Sequence, residues 1–305
     1  MFRKTPRCQI LPLPGRQLTI GIDGRERLRW HAADDAPRPF FFPLIGPSGL
    51  PLTRMGHPGA PNHDHHRSIW FAHHKVLGID FWGDNTDAVI RQQQWLAYED
   101  GDQDARMAVR LRWYDGHDPQ ALIEQVMIAA VSPAPDDGVF VEIQTSLTSL
   151  AESLELGQTN FGLLAVRVAK SISAFFGDGV LTGANGQQTE KNLFGKSSPW
   201  IDYSGSIDDG TVEGITYYDH PDNNSFPSKW HVREDGWMGA SVCRDGPVML
   251  TRARPTTWRY LLHAHPGHVG LAAADEIAKR FHSNPQLVVL KSEQPHQAAT
   301  IQRVS

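Results

Sequence analysis

Val139-Phe140-Val141-Glu142-Ile143-Gln144-Thr145-Ser146-Leu147 decides the fold class. Large apolar side chains alternate with polar ones, and Glu142, Gln144 and Ser146 fall on one face. A period of two marks a β-strand with one side in a core. The same texture continues outward in both directions. Leu18-Thr19-Ile20-Gly21-Ile22 and Met107-Ala108-Val109-Arg110-Leu111-Arg112-Trp113-Tyr114 read as strands, and Val288-Val289-Leu290 as a last one. Asp115-Gly116, Asp137-Gly138, Asp178-Gly179 and Asp245-Gly246 mark turns between such runs, and the stretch from Pro133 to Gly138 reads as a hairpin loop. Helical spacing is confined to the segment from Ala272 to Phe281, stopped by Pro285. No segment repeats at a fixed period. These features predict an all-β fold, a large antiparallel β-sandwich, in a single domain of residues 1–305.

The totals fit that reading. Apolar residues make up 40% of the 305 and charged residues 21%, enough for a buried core. The net charge of -5, without a basic run, disfavours nucleic acid as a partner. Cys8 and Cys243 form neither a CxxC pair nor a zinc-type spacing, so no disulfide framework is expected. The first residues, MFRKTPRCQILPLPGRQ, are broken by prolines and do not make a signal peptide. No window approaches the ~18 apolar residues of a membrane span. A soluble, cytoplasmic protein with no membrane partner is the expectation.

Chemistry concentrates in NHDHHRSIWFAHHKVLGIDFWGDN, from Asn62 to Asn85. Five of the fifteen histidines fall in twelve residues there: His63, His65, His66, His73 and His74. Arg67, Asp80 and Asp84 lie among them, interleaved with Trp70, Phe71, Phe81 and Trp82. Titratable groups alternating with large aromatics suit a pocket wall better than a solvated face. In an extended chain His63, His65 and Arg67 share one face and His66 takes the other. The H-x-H start leaves metal ligation open, but no HExxH helix pattern is present. The other reading is an exposed histidine-rich loop.

Three later segments carry weaker signals. Tyr217-Tyr218-Asp219-His220-Pro221 sets a carboxylate beside an imidazole, or is a turn whose aspartate caps backbone amides. In Lys229-Trp230-His231-Val232-Arg233, His231 and Arg233 share a face opposite Trp230. Trp258-Arg259-Tyr260-Leu261-Leu262-His263-Ala264-His265 reads as a strand with a wet face. Asn160 is either a pocket amide or a turn residue. GxGxxG, GxxxxGK[ST] and GxSxG are all absent, so dinucleotide, P-loop and serine-elbow chemistry lack support.

Several blocks together resemble a bacterial family usually labelled "PmoA family protein". They are His63-Asp64-His65-His66-Arg67-Ser68-Ile69-Trp70-Phe71, Gly78-Ile79-Asp80-Phe81-Trp82, Asp219-His220-Pro221 and Trp230-His231-Val232-Arg233. The segments from Phe40 to Pro47 and from Trp200 to Gly205 also look like the family, and the resemblance runs from about Pro39 to Pro295. The label points to a methane monooxygenase subunit that is integral to the membrane, and this chain offers no span for a bilayer. Methane oxidation is therefore rejected. The resemblance implies an all-β fold in gene settings of sugar dehydrogenases and glycoside-degrading enzymes. Among antiparallel sandwiches, a two-sheet supersandwich similar to galactose mutarotases is the first expectation.

The resulting expectation is an enzyme using acid/base chemistry for epimerisation, mutarotation or elimination of a sugar or modified glycoside. His65, His66 and His231 are the candidate acids and bases. Arg67 and Arg233 would hold hydroxyls or developing negative charge. Trp70, Trp82 and Trp230 would stack on the ring. His63, His73, Asp80, Asn160, Asp219 and His220 complete the substrate-binding candidates. No cofactor or tightly bound metal is expected, and the partner is a small-molecule carbohydrate. The alternatives are a metal-dependent oxygenase or hydrolase built on the same histidines, and a carbohydrate-binding protein without catalysis. The oligomeric state is not legible.

Overall fold

The alternating stretches become strands. In chain order they are β1 (Cys8–Leu13), β2 (Gln17–Ile22), β3 (Arg25–His31), β4 (Phe40–Leu44), β5 (Ile69–His73), β6 (Val89–Glu99), β7 (Ala105–Tyr114), β8 (Ile123–Pro133), β9 (Val139–Ser149) and β10 (Ser153–Leu156). The second half holds β11 (Gly162–Arg167), β12 (Val180–Gly183), the short helix α1 (Glu190–Leu193), β13 (Trp200–Asp208), β14 (Thr211–Asp219), β15 (Trp230–Arg233), β16 (Trp237–Ala240), β17 (Val248–Thr251), β18 (Thr256–Pro266), α2 (Leu271–His282), β19 (Gln286–Lys291) and β20 (Ala299–Val304). This computed structural model describes residues 5–57, 59–60 and 63–304; Asn62 lies outside the described residues.

Two eight-stranded sheets carry the fold. One runs β1-β2-β3-β4-β5-β11-β16-β15 and the other β12-β13-β14-β18-β9-β8-β7-β6. Their pairings are antiparallel throughout. Alternation then decides what each face meets. Ile20, Trp30, Phe71 and Trp230 of the first sheet share one buried cluster with Val109, Met127, Val141, Ile143, Tyr217 and Leu262 of the second. The rings of Phe71 and Trp113 meet across the sheets at 6.2 Å, and those of Tyr217 and Trp230 at 4.8 Å. The fold is thus a large antiparallel β-sandwich.

The outer face of the second sheet is not wet, as its alternation predicts, but covered. Gln144 donates to the Leu287 carbonyl at 2.6 Å and accepts from the Leu287 amide at 3.0 Å, holding the β19–β20 hairpin against β9. Glu142 accepts from Arg303 at 2.6 Å under the same hairpin. Helix α2 packs Ala274, Ala278 and Phe281 onto Trp200, Tyr218 and Leu261. Arg259 and His263, read as solvent-facing, are buried beneath these additions. The cause is plain: period two reports which side chains share a face, not what later covers that face.

Cys8 and Cys243 are both free and buried, and burial pushes their thiols up to about 11 and about 12. Among the described residues no helix is long and apolar enough to cross a membrane. For the site, the decisive topological fact is the place of β11. It pairs with β5 on one edge and β16 on the other, so the histidine stretch and the β15–β16 hairpin lie one strand apart.

Candidate active site

Inward-facing Phe71 and Trp230 belong to the core, so their neighbours Trp70 and His231 point to the other face of the first sheet. A cavity of about 370 Å3 opens there, within the range usual for small-molecule sites. Its wall contains His63, His65, His66, His74, Asp80, Trp82, Phe161, His231, Arg233, Asp235 and Trp237.

The histidine stretch enters this wall as a turn, not as the extended chain expected from sequence. The His66 amide donates to the His63 carbonyl at 3.0 Å, curling the backbone. The turn puts three imidazoles side by side in place of alternating faces. His63 and His66 lie stacked at 5.1 Å between centroids, and His65 meets His66 edge-on at 4.3 Å. His66 then stacks on Trp237 at 5.7 Å. Trp237 lies parallel to Phe161 at 6.0 Å and meets His231 at 3.9 Å. Phe161 reaches His74 at 5.7 Å. The cavity floor is therefore a run of aromatic rings, with Trp82 packed on both Trp237 and Phe161.

Polar groups stand on that floor unevenly satisfied. The indole N–H groups of Trp82 and Trp237 and the Nδ1 atoms of His63, His66 and His74 are buried and find no partner among the described residues. An indole can only donate, so neither is satisfied by the described residues, and each is open to an oxygen of a ligand. Asp80 accepts from the amides of Trp82 and Gly83 at 2.7 and 3.0 Å, and its other oxygen lies 3.8 Å from Nε2 of His74. Burial pushes His66 far below the ordinary imidazole value, helped by His65 and Arg167. Burial likewise lowers His231 to about 3, against the pull of its contact with the Asn160 carbonyl. Both are neutral at pH 7. For Asp235 burial opposes ionisation, but the hydrogen bond and charge of Arg167, with His57 and Arg233 nearby, hold its carboxyl below the usual range.

Other candidates named from sequence lie outside the cavity wall. Arg67 makes a bidentate pair with Asp84 at 2.9 and 2.7 Å, and buried Arg38 adds a third contact to the same carboxylate at 3.2 Å. This brace fixes the 80–84 loop. Trp70 lies under His66 and Trp82, supporting them from beneath. His73 points into the core side and meets the Gly157 carbonyl at 3.0 Å. Trp230 donates to the Ser198 carbonyl at 2.7 Å on the core side, because it alternates with His231. Asp219 takes the turn-capping role, accepting from the His220 and Ser228 amides and the Asn223 side chain at 3.0, 2.7 and 2.6 Å. His220 packs on Phe281 of α2, behind the second sheet. Asn160 contributes its backbone carbonyl, which faces Nδ1 of His231 at 3.4 Å. His263 and His265, on the strand read as wet-faced, pair with Asp136 at 3.2 Å and Asp202 at 2.8 Å.

Four wall residues, His74, Phe161, Asp235 and Trp237, are not singled out as site residues by the sequence alone. His74 was visible in the dense stretch but stood next to His73, and only strand phase separates the two. Phe161, Asp235 and Trp237 reach the wall through β11 and β16, and no local pattern announces that pairing. Among the described residues no group of three His, Cys, Asp or Glu side chains is arranged to hold a metal ion.

A family model described as "Family of unknown function (DUF6807)" matches residues 17–281. No curated protein matches the chain significantly. Among solved structures, similarity extends to a mutarotase candidate from Salmonella typhimurium, 11% identical with a TM-score of 0.39, covering 87% of this chain and 96% of that one. A 4-alpha-glucanotransferase from Thermococcus litoralis is 8% identical with a TM-score of 0.35, covering 86% of this chain and 40% of its own. A kojibiose phosphorylase candidate from the human microbiome is 10% identical with a TM-score of 0.34, covering 91% and 36%. The chain thus spans less than half the length of the last two.

Proposed function

We infer that this chain, which belongs to the family of unknown function DUF6807, is an enzyme moving protons on a sugar or modified glycoside. One observation carries the reading. Imidazoles surround an aromatic floor whose indole N–H donors have no acceptor among the described residues. A sugar ring offers both complements at once: an apolar face for the floor and oxygens for the donors. Each buried donor left unmet costs ~1–3 kcal/mol, which a ligand oxygen recovers.

The electrostatics divide the histidines. Proton transfer is most efficient when the group titrates near the working pH. Burial takes His66 and His231 away from that range, so they serve as neutral hydrogen-bonding walls. With Nδ1 of His231 turned to the Asn160 carbonyl, the proton belongs on Nδ1 and the Nε2 lone pair is left to a substrate hydroxyl. The candidates left for proton transfer by position are His65, partly exposed at the cavity wall, and His74, whose Nε2 lies 3.8 Å from Asp80. Arg233 would carry negative charge developing on oxygen. Mutarotation, epimerisation and elimination each need one group to take a proton and another to return it.

Proton NMR with a panel of aldoses and methyl glycosides in D2O tests this. Saturation transfer between anomers, or washout of a carbon-bound proton, should appear with wild type. His74→Gln should lower the rate about 100-fold, within the usual worth of an acid/base group, while binding survives. Full activity in that variant, or a panel that neither binds nor reacts, would defeat the reading.

A further inference from the structure

A second concavity of about 710 Å3 adjoins the cavity, lined by His57, Phe175, Phe176, Glu190, Lys191, Phe194, Arg233, Glu234 and Asp235. Arg233 and Asp235 line both spaces. Two ring contacts also cross the boundary: Phe194 meets His231 at 5.0 Å, and His57 meets His63 at 5.2 Å. The two spaces therefore adjoin along shared side chains.

The groove's chemistry differs from the cavity's. Three phenylalanines replace the indoles, and Phe175 is 70% exposed. An exposed phenylalanine alone is ordinary. The backbone that carries this one is tethered. The Ala174 amide donates to the Tyr203 hydroxyl at 2.9 Å, and the Phe175 amide to the Glu234 carbonyl at 2.8 Å. The Tyr203 hydroxyl in turn donates to the Glu234 carbonyl at 2.9 Å, tying this loop to the turn between β15 and β16. The turn that follows admits no side chain: a Cβ at Gly177 or Gly179 would run into the carbonyl oxygens of Ser171 and Ile172. Phe176, beneath, is fixed by Arg54 at 5.5 Å and Lys170 at 5.8 Å from its centroid. An exposed ring on a held backbone, edge-on to Phe176 at 4.8 Å and beside Lys191 and the Glu190–Arg233 ion pair, is a platform for a flat ring with polar edges.

We propose that this groove is a second subsite, which takes the aglycone or second ring of a glycoside whose first sugar occupies the cavity. The proposal rests on the sugar reading above. It commits to the ligand's own continuation as the occupant, because the groove's bridges all lead into the cavity. A glycoside entering this way sets its inter-ring oxygen near Arg233 and Asp235, the residues common to both spaces.

Saturation-transfer difference NMR separates the two claims. The probes are methyl glycosides, 4-nitrophenyl glycosides and disaccharides of glucose, galactose, mannose and xylose. With wild type, protons of both rings of a 4-nitrophenyl glycoside or disaccharide should receive saturation. In Phe175→Ala, the second ring should lose it, and affinity for that two-ring ligand should fall about fivefold, the worth of one aromatic contact. The matching methyl glycoside should bind within about twofold of wild type. Comparing the nitrophenyl and disaccharide arms says which second ring the groove prefers. If the first sugar is saturated but the second ring never is, or Phe175→Ala leaves its affinity unchanged, the second subsite is overturned while the sugar reading stands. If no probe binds, both fall. A change of sedimentation coefficient in Phe175→Ala without a change in ligand binding would reassign the groove to contact between copies of the chain.

Discussion

Trp237 carries the site's logic in a single side chain. Its ring packs on Phe161 and His231, while its N–H has no acceptor among the described residues. Trp237→Phe keeps most of the packing and removes the unmet donor. We expect the melting temperature to stay within about 3 °C, since the relieved donor offsets the lost ring area. Sugar affinity should fall about fivefold, the worth of one neutral hydrogen bond. A large loss of stability with unchanged affinity would show that the indole serves packing alone. Asp235 is the opposite case. It neutralises Arg167, which is completely buried, at 2.9 Å, and meets His57 at 3.2 Å. Asp235→Asn leaves that guanidinium charged and unpaired, so chemical denaturation should show about 3 kcal/mol lost. At this scale the sequence was informative where chemistry was dense and silent where it was dispersed. The cluster from His63 to His66 reads as a site from its composition. Asp235 and Trp237, in an ordinary Glu-Asp-Gly-Trp turn, do not. The residue type of Trp230 suggests a stacking surface, but its phase against His231 points it inward.

Strands such as β9 were legible because a half-buried sheet leaves a period-two trace. The cover on its outer face was not, because Glu142 and Gln144 look the same whether they meet water or a hairpin. The hydrogen bonds show the difference. Gln144 replaces a backbone partner for Leu287, satisfying both its amide and its carbonyl. Gln144→Ala should therefore cost about 2 kcal/mol, two hydrogen bonds of ordinary worth. The effect should also be local. Hydrogen exchange followed by mass spectrometry should quicken in β19 and β20 and stay unchanged in β7 and β8. Uniform acceleration across the second sheet would mean that the hairpin is not an added layer but part of the central cooperative unit.

Across the whole molecule, buried histidines set the response to acid. His66, His73, His220 and His231 are all lowered from 6.5 in the folded chain, His73 and His220 to about 4 and His231 to about 3, each chiefly by burial. The unfolded chain binds these protons near its ordinary value, so below about 6.5 it holds more of them than the fold does. Stability therefore rises with pH across that window, by about 1.4 kcal/mol per unit for each histidine kept neutral. His265 acts with the other sign. Burial opposes its charge, but the hydrogen bond and charge of Asp202 raise it above 6.5, so its contribution is present below that value and fades as pH climbs through the raised one. Urea midpoints measured from pH 4 to 8 should climb steeply to about 6.5 and then level or dip. His73→Gln, which keeps a donor for Gly157, should make the climb shallower by about one proton. A flat profile below pH 6.5 would remove the burial argument. The place of β11 between β5 and β16 has a consequence of another kind, in the order of events during synthesis. The cavity's walls come from residues near 65, 161 and 235, and β11 must wait for β16 before its second edge is paired. A ribosome-bound chain that has exposed only its first two hundred residues already owns its histidine turn but has nothing to close it against. Such long-range pairing is slow to form. Ligand binding by this protein should therefore be among the last properties a nascent chain acquires, appearing only after β16 clears the exit tunnel.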